Sequence, residues 1–195
     1  MHLSSVNYDV LMFYDYSSLE STIVLADIIA SYESTSLISW SMGVWAGQQI
    51  FNGIQNLLTS AIAINGTLCP IDDTYGIPVK TATATLNNFD EKQRLKFYYR
   101  MCRDRNLYKK FIKNQPKRTV ADQKQELSSL LENAVCKISE KPVYNKAIVA
   151  THDFIIPTEN QLHFWPEKIV KQVDGSHFLF YAYKTWDELL EMAEA

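Results

Sequence analysis

Residues 37–47 limit the fold of this chain more than any other part of the sequence. Leu37 and Ile38 are apolar and predict a buried strand, whereas the apolar spacing that begins at Val44 predicts a helix. Small residues separate the two in the pattern Ser-x-Ser-x-Gly, with Ser41 at the corner. A strand that turns sharply into a helix is the repeating unit of a parallel α/β sheet, so this stretch predicts an α/β fold.

Strand and helix patterns alternate along much of the remaining chain. Apolar runs predict further buried strands at residues 8–14, 60–64, 146–150 and 168–173. Helical patterns occur at residues 23–29, 44–52, 158–165 and 183–195. We therefore expect a mostly parallel sheet with helices packed against it.

This alternation stops between residues 67 and 142. Turn residues come first there, and helical patterns follow at residues 91–102 and 121–138. A long insertion between two strands of such a sheet is usually functional and is often a lid over the site. We expect a core formed by residues 1–66 and 143–195, with residues 67–142 as a helical lid.

The predicted lid carries most of the positive charge. Residues 80–124 contain thirteen lysines and arginines against four acidic residues, a net charge of +9, and because the whole chain carries −3 the remainder carries −12. Clustered charge of one sign attracts a partner of the opposite sign. The lid therefore predicts an anionic partner, either an acidic protein or nucleic acid. A solvated helical face is the alternative.

Composition is that of a single globular domain. With 195 residues, 47% of them hydrophobic and 21% charged, the chain can bury a sizeable core. It contains no run of about 18 apolar residues that would span a bilayer. Residues 1–5 do not have the basic-then-apolar pattern of a signal peptide, so we expect a cytoplasmic location.

The cysteines do not follow a disulfide or metal-binding pattern. Cys69, Cys102 and Cys136 are widely spaced and odd in number, and no Cys-x-x-Cys pair occurs. Such spacing argues against a disulfide framework and against a zinc site. We expect three reduced thiols in partly buried positions.

Ser41 occupies the position that acyl-transfer enzymes give to a nucleophile. A serine at a strand-to-helix corner lifts its hydroxyl clear of the sheet, and the helix N-terminus offers N–H groups, above all that of Met42, to a developing oxyanion. The motif has Ser39 where the usual Gly-x-Ser-x-Gly sequence has its first glycine. Capping of the helix is the alternative role of Ser41.

Asp153 and His177 complete a possible catalytic set. Each follows a predicted strand, and with Ser41 they occur in the order nucleophile, acid and base that α/β-hydrolases use. In this hypothesis His177 accepts the proton of Ser41, while Asp153 orients the imidazole. Asp15 is the competing acid, and a half-buried structural role is the alternative for His177. The sequence thus predicts an α/β-hydrolase-like fold.

The other histidines and the aromatic residues have simpler interpretations. His152 and His163 are badly placed for the base and are expected to be packing or surface residues. Trp45, Tyr98 and Tyr99 are expected in the core. Trp40 neighbours Ser41 in sequence, so a substrate-binding role remains open for it.

Six short segments carry a family resemblance. They are residues 14–16 (Tyr-Asp-Tyr), 39–46 (Ser-Trp-Ser-Met-Gly-Val-Trp-Ala), 65–67 (Asn-Gly-Thr), 72–78 (Asp-Asp-Thr-Tyr-Gly-Ile-Pro), 160–162 (Asn-Gln-Leu) and 176–178 (Ser-His-Phe). With these segments the chain resembles the BioG type of pimeloyl-[acyl-carrier protein] methyl ester esterase. The resemblance covers essentially the whole chain.

The resemblance implies a function and a partner. Such enzymes hydrolyse the methyl ester of pimeloyl-carrier protein in biotin precursor synthesis, so the anionic partner would be acyl carrier protein rather than nucleic acid or a membrane. No metal or organic cofactor is implied. We expect Arg94, Arg100 and Arg103 of the lid to contact the carrier protein. A thioesterase that cleaves the carrier thioester is the enzymatic alternative.

One departure from the family pattern concerns the N-terminus. Members of the family carry an additional apolar strand before the one predicted at residues 8–14, and the loop after it supplies the second oxyanion N–H. The chain begins at Met1 without that segment. We therefore expect an N-terminally truncated form with impaired activity, since one oxyanion donor is worth about 10²–10³ in kcat. A non-catalytic module that binds carrier protein or nucleic acid is the alternative.

Overall fold

The computed structural model describes residues 3–16, 19, 25–136, 138 and 141–194. In this part of the chain, four parallel strands form one sheet in the order β1-β2-β3-β4. The strands are β1 (Ser36–Trp40), β2 (Ser60–Ile64), β3 (Lys146–Ala150) and β4 (Val170–Val173). Trp40 pairs with Ile64, Ile64 with Ile148, and Ala150 with Val173, so the C-terminal ends of all four strands lie along one edge.

Helices connect the strands and cover the sheet. They are α1 (Leu25–Ala30), α2 (Met42–Phe51), α3 (Val79–Asn87), α4 (Glu91–Cys102), α5 (Arg105–Lys113), α6 (Val120–Asn133), α7 (Thr158–Phe164) and α8 (Trp186–Glu194). Short 3₁₀ turns occupy Gln55–Leu57, Glu167–Ile169 and Phe180–Ala182. Within the described ranges, no helix combines the length and the apolar character that crossing a membrane requires.

The central strand β2 shows why both faces of the sheet are covered. All five of its residues are buried, and their side chains alternate between the two faces. Ala61 and Ala63 pack in a cluster that contains Val44 of α2, whereas Ile62 and Ile64 pack in a second cluster with Leu189 of α8. Burial on both faces explains why the sequence of this strand is apolar at every position after Ser60.

Three of the helices between β2 and β3, namely α4, α5 and α6, begin at residues whose side chains cap them. Asp90 accepts a hydrogen bond from the N–H of Gln93 at the start of α4, and Asp104 caps α5 in the same way. Tyr98 and Met101 of α4 then pack against Ile156, which follows β3. The insertion is thereby attached to the loop after β3 by apolar contacts.

The strand predicted at residues 8–14 is wrong. This segment has no regular secondary structure, and its apolar side chains are exposed, from 39% at Phe13 to 71% at Tyr14. A strand requires a neighbouring backbone to pair with. The described N-terminal residues form their backbone pairing at Ser4, outside the segment 8–14. Ser4 forms a bridge with Thr185 and accepts a hydrogen bond from the N–H of Trp186.

The prediction of three reduced thiols is also wrong. Cys69 and Cys136 form a disulfide, and only Cys102, which is buried, is a free thiol in the described part of the chain. The pair is separated by 67 residues in sequence. Cys69 follows β2 and Cys136 follows α6, so the path of the insertion brings them together, and their spacing in sequence could not reveal this.

Most remaining elements confirm the predictions, with different bounds. The helix predicted at residues 121–138 ends at Asn133, and Ile138 is 68% exposed. The last strand begins at Val170 because a 3₁₀ turn precedes it. Tyr98 is buried as predicted, but Tyr99 is 42% exposed because it lies on the outer side of α4. The described part of the first helix starts at Leu25; Ile23, Val24 and the predicted terminal residue Ala195 of the last helix lie outside the described residues.

Candidate active site

Ser41 lies at a tight corner between β1 and α2. Its backbone has φ 57° and ψ −127°, a conformation that a residue with a side chain adopts only under constraint. The Ser41 N–H donates to the carbonyl of Ile64 at 3.0 Å, and the Ser41 carbonyl accepts from the N–H of Val44 at 3.0 Å. A Cβ atom at Gly66 would collide with that Ser41 carbonyl, so glycine is required there. The corner is therefore held by backbone contacts with the end of β2.

The small residues of the motif allow this close packing. Ser39 is buried, and at Gly43 an added Cβ would lie only 2.7 Å from the hydroxyl oxygen of Tyr16. Burial, with the charge of Glu126 as a second cause, raises the pKa of Tyr16 to about 12. Tyr16 therefore stays a neutral phenol beside the corner at physiological pH.

The structure brings Ser41, Asp153 and His177 into one hydrogen-bonded chain. His177 Nε2 lies 2.9 Å from Ser41 Oγ, and His177 Nδ1 lies 2.8 Å from Asp153 Oδ2. Since a carboxylate only accepts, the Nδ1 proton is assigned to this bond, which leaves Nε2 as the acceptor that faces Ser41. The His177 and Asp153 side chains are 1% and 0% exposed.

The loop after β3 fixes the Asp153 carboxylate. Asp153 Oδ1 accepts from the N–H groups of Ile155 and Ile156, at 2.8 and 3.1 Å. The Asp153 N–H donates to the hydroxyl of Thr158 at 3.2 Å, and that hydroxyl donates to the carbonyl of Ala150 at 2.7 Å. Gln161 adds a donor to Oδ2 at 2.9 Å. The carboxylate is thus fully enclosed and hydrogen-bonded.

Asn65 holds the loop that carries His177. Its side-chain amide donates to the carbonyls of His177 and Ser176 at 2.9 and 3.2 Å, and its oxygen accepts from the N–H of Ala150 at 2.8 Å. Its backbone is left-handed, with φ 46°. Asn65 therefore ties the ends of β2 and β3 to the histidine loop. Neither Asn65 nor Gln161 was singled out as functional from the sequence, although both belong to the segments of the family resemblance and Asn65 directly follows an apolar strand.

The insertion of residues 67–142, which the sequence predicts to be a lid, contacts the same loop on its other side. The carbonyl of Met101 accepts from the N–H of Phe178 at 3.2 Å, and the carbonyl of Cys102 accepts from the hydroxyl of Ser176 at 2.9 Å. Burial, with Asp104 as a second cause, raises the pKa of the Cys102 thiol to about 11. Because it stays protonated at neutral pH, this thiol is a poor nucleophile.

Trp40 contacts His177 directly. Its Nε1 donates to the His177 carbonyl at 2.9 Å, and the two rings are 5.1 Å apart. This contact helps to hold the histidine loop, and a contact of Trp40 with substrate stays a prediction.

The competing acid Asp15 lies away from His177: it is 4.0 Å from Arg118, and its side chain is 52% exposed. His152 and His163 both lie at the surface, and the side chain of His152 is 66% exposed.

The three lid arginines have different environments. The side chain of Arg94 is only 11% exposed and donates to Glu91 and to the carbonyl of Arg118, so it stabilises the lid internally. Arg100 is exposed and donates to the carbonyl of Phe154 at 2.9 Å. The guanidinium of Arg103 lies 3.7 Å from the centre of the Phe154 ring. Only Arg100 and Arg103 therefore lie at the loop that carries Asp153.

A surface groove of about 650 Å³ extends along α4 and α5 beside these arginines. Its apolar part is formed by Leu95, Tyr99 and Tyr108, and its charged lining consists of Glu91, Lys92, Lys96 and Arg100. Among the described residues, no group of three or more histidine, cysteine or acidic side chains could hold a metal ion.

Comparison with known proteins gives a family. A family model described as pimeloyl-ACP methyl esterase BioG matches residues 2–189. An uncharacterized protein of Haemophilus influenzae is 34% identical over 188 residues, which cover 94% of this chain and 83% of that protein. A malonyl-[acyl-carrier protein] O-methyltransferase of Bacteroides fragilis is 37% identical over 184 residues, or 91% of this chain and 36% of the relative. This chain thus spans about a third of the length of that methyltransferase.

Solved structures agree with this family. The crystal structure of BioG from Haemophilus influenzae matches with a TM-score of 0.85 and 33% identity, over 96% of this chain and 86% of that chain. The hydrolase BphD of a Rhodococcus species matches with a TM-score of 0.54 and 14% identity, over 83% of this chain and 63% of that chain, and shares the fold alone. The predicted α/β-hydrolase-like fold is confirmed, and this chain belongs to the BioG family.

Proposed function

We propose that this chain is a serine hydrolase that cleaves carboxylic esters, with Ser41 as nucleophile, His177 as base and Asp153 as the orienting acid. The observation that carries the proposal is the continuous hydrogen-bonded chain from Ser41 Oγ through the imidazole to the Asp153 carboxylate, with distances of 2.9 and 2.8 Å. Both distances suit direct proton transfer and orientation of the base.

The reaction follows from the donors and acceptors of these side chains. Ser41 Oγ attacks the ester carbonyl while its proton passes to His177 Nε2, and Asp153 stabilises the imidazolium that forms. Met42 is the first residue of α2, where N–H groups have no partner within the helix, and its N–H would bind the oxyanion. The imidazolium then protonates the departing alcohol. Water releases the acyl group from Ser41 in a second cycle, with His177 again as base.

We propose the methyl ester of pimeloyl-[acyl-carrier protein], an intermediate of biotin synthesis, as the substrate. The description of the matching family model supports this choice. The Bacteroides fragilis relative is named a methyltransferase that acts on a carrier-bound acyl group, but its aligned part is 36% of its length. Most of that relative lies outside the alignment, and the hydrogen-bonded Ser41, His177 and Asp153 of this chain suit ester hydrolysis, so we assign hydrolysis rather than methyl transfer to the present chain.

The lid, residues 67–142, would supply the docking surface for the carrier protein. Lys92, Lys96 and Arg100 line the groove around an apolar floor, and this combination suits a partner surface with acidic and apolar side chains. Arg100 and Arg103 join the groove to the loop of Asp153 through Phe154. A partner bound here would lie next to the proposed catalytic site. Arg94 is left out of this surface because its guanidinium is turned into the lid.

The direct test is hydrolysis of methyl-pimeloyl carrier protein, with released methanol and released free carrier protein measured separately. We expect the wild type to release methanol while the carrier protein stays acylated. Ser41→Ala should release no methanol. Release of free carrier without methanol would instead identify the thioesterase that is the main alternative. Absence of both products would refute the hydrolase and leave a carrier-binding module.

The docking surface has its own test. Arg100→Glu combined with Arg103→Glu is expected to raise the KM for the carrier-bound ester at low salt, and the difference from the wild type should shrink as salt screens the charges. Lys168→Glu combined with Lys184→Glu is the matched control, since both residues are exposed cations outside the lid and the net charge changes by the same amount. An equal effect of the control and the arginine double variant would assign the result to net charge rather than to this surface.

A further inference from the structure

A buried glutamine of α7 contacts the carboxylate of Asp153. Gln161 has no solvent exposure, and its Nε2 donates to Asp153 Oδ2 at 2.9 Å and to the carbonyl of Ile156 at 2.8 Å. Asp153 Oδ2 is the same oxygen that accepts from His177 Nδ1 at 2.8 Å. Gln161 therefore contacts the atom through which the acid orients the base.

The neighbours of this amide determine its orientation. Both atoms that face the end of the side chain are acceptors, so the NH₂ group must point at them, and a flipped amide would bring its oxygen against the carboxylate. The amide oxygen of Gln161 is buried and has no hydrogen-bond partner in the described part of the chain. An unpaired buried acceptor lowers stability, and an unbranched apolar side chain would avoid that loss. Packing alone thus does not explain an amide at this position.

We propose that Gln161 is a positioning residue of the active site that acts through Asp153. Two donors on Oδ2, together with the Ile155 and Ile156 N–H groups on Oδ1, fix the rotation of the carboxylate. One lone pair then stays directed at His177 Nδ1 while the imidazole takes up and returns the serine proton. Because Gln161 touches neither Ser41 nor the oxyanion site, its effect is on the rate of the chemical step and not on substrate binding. The inference rests on the proposed hydrolase function.

Gln161→Glu should change how the activity depends on pH, because the new carboxyl group would face the Asp153 carboxylate. His177 is the titratable group that shares Asp153 with Gln161, while Arg100 and Arg103 contact Phe154 on the outer side of the loop. In Gln161→Glu the new carboxyl group keeps the shape of the glutamine. When protonated it still donates to Asp153, and when ionised it repels that carboxylate. The loss of activity in this variant should therefore grow as pH rises, which a purely structural defect would not produce.

The test compares Gln161→Met, Gln161→Glu and the control Gln48→Met. Gln48 is also buried and uses its side-chain amide within the core, where its oxygen accepts from the Val143 N–H, but it contacts no member of the catalytic set. Hydrolysis of 4-nitrophenyl acetate is measured between pH 6 and pH 9, and urea unfolding is followed in parallel. For Gln161→Met we expect kcat to fall about 10- to 100-fold with KM changed less than about twofold, as suits a lost hydrogen bond to a charged group. Gln48→Met should keep the wild-type kcat, although its urea midpoint should be similar to that of Gln161→Met.

A second measurement does not depend on turnover. In protein labelled with ¹⁵N-histidine, the Nδ1-bound proton of His177 should exchange with water faster in Gln161→Met than in the wild type, because the Asp153 carboxylate is freer to rotate. A folded Gln161→Met protein with wild-type kcat, or with unchanged exchange of that proton, would overturn the proposal. If the wild type hydrolyses no ester, the proposed function fails, and the exchange measurement alone then decides on Gln161.

Discussion

Removal of the Asn65 side chain should cost the protein a large part of its stability. This amide makes three buried hydrogen bonds, to the Ala150 N–H and to the carbonyls of Ser176 and His177. In Asn65→Gly the left-handed backbone is kept without strain, so the measured loss reports mainly these bonds. An unpaired buried N–H at Ala150 costs about 1–3 kcal/mol, and the weakened carbonyls add about 1 kcal/mol, for a total of about 3 kcal/mol. The His177 carbonyl loses less because Trp40 also donates to it.

Urea unfolding followed by far-ultraviolet circular dichroism measures this loss as a shift of the midpoint at constant slope. The matched control is Asn145→Gly, which removes an amide whose oxygen accepts a single hydrogen bond, from the Ala61 N–H, at the opposite end of the sheet. We expect the control to lose about 1 kcal/mol, and Asn65→Ala to be slightly less stable than Asn65→Gly because a Cβ disfavours the left-handed backbone by about 1–2 kcal/mol. If Asn65→Gly and Asn145→Gly unfold at the same urea concentration, the role given to Asn65 as the tie between β2, β3 and the histidine loop is wrong.

Three further predictions concern other parts of the molecule. Gly66→Ala should destabilise by about 1–3 kcal/mol and slow ester hydrolysis, because its Cβ meets the Ser41 carbonyl. Gly53→Ala also loses stability, because φ at this position is 93°, but its Cβ meets nothing within 4 Å and hydrolysis should be unchanged. Initial rates of the two folded variants measure the difference, and equal slowing of both would contradict the prediction. Cys136→Ser should lower the free energy of unfolding by about 4 kcal/mol, since the lost disulfide closes a loop of 67 residues. Thermal unfolding of the wild type and the variant, with and without reductant, measures this loss. Equal melting temperatures of the two proteins without reductant would contradict it. Burial raises the pKa of Tyr16 to about 12, so the stability that its neutral form contributes is complete below pH 10 and is lost as pH rises towards 12. Between pH 9 and pH 11 the wild type should therefore lose about 1 kcal/mol more than Tyr16→Phe, and parallel urea curves for the two proteins at both pH values would refute this.

The local patterns of the sequence were sufficient for the central strands. The apolar runs in residues 60–64 and 146–150 are confirmed as β2 and β3, because a strand buried on both faces is apolar at nearly every position; only the first residues, Ser60 and Lys146, are polar. The corner at Ser41 was also predictable, since small residues between an apolar strand and a helix permit a sharp turn and a close approach of the two elements. Each of these signals depends on neighbours in sequence and therefore survives without knowledge of the tertiary structure.

Features that depend on tertiary neighbours could not be predicted in this way. The run at residues 8–14 has the composition of a strand, but only the structure shows that no strand of the described sheet pairs with it. The same limitation hid the Cys69–Cys136 disulfide and the burial of Arg94. Charge counting treats every arginine of the lid as available to a partner, whereas the direction of each side chain decides whether it is.

Part of the candidate site was predictable from the sequence, and part depends on tertiary contacts. The order of Ser41, Asp153 and His177 along the chain predicted that they meet at one edge of the sheet, and the structure brings them within hydrogen-bonding distance. Asn65 and Gln161 could not be assigned from the sequence because the role of a buried amide depends on its hydrogen-bond partners. Their partners are the histidine loop and the Asp153 carboxylate.

The most direct test of the central claim is reaction of the folded protein with a fluorophosphonate probe, followed by mass spectrometry of the intact chain and of its peptides. We expect one adduct, on the peptide that contains Ser41, which is absent in Ser41→Ala and forms much more slowly in His177→Ala. An adduct on another residue, no adduct on the folded protein, or equal labelling of the wild type and His177→Ala would contradict it.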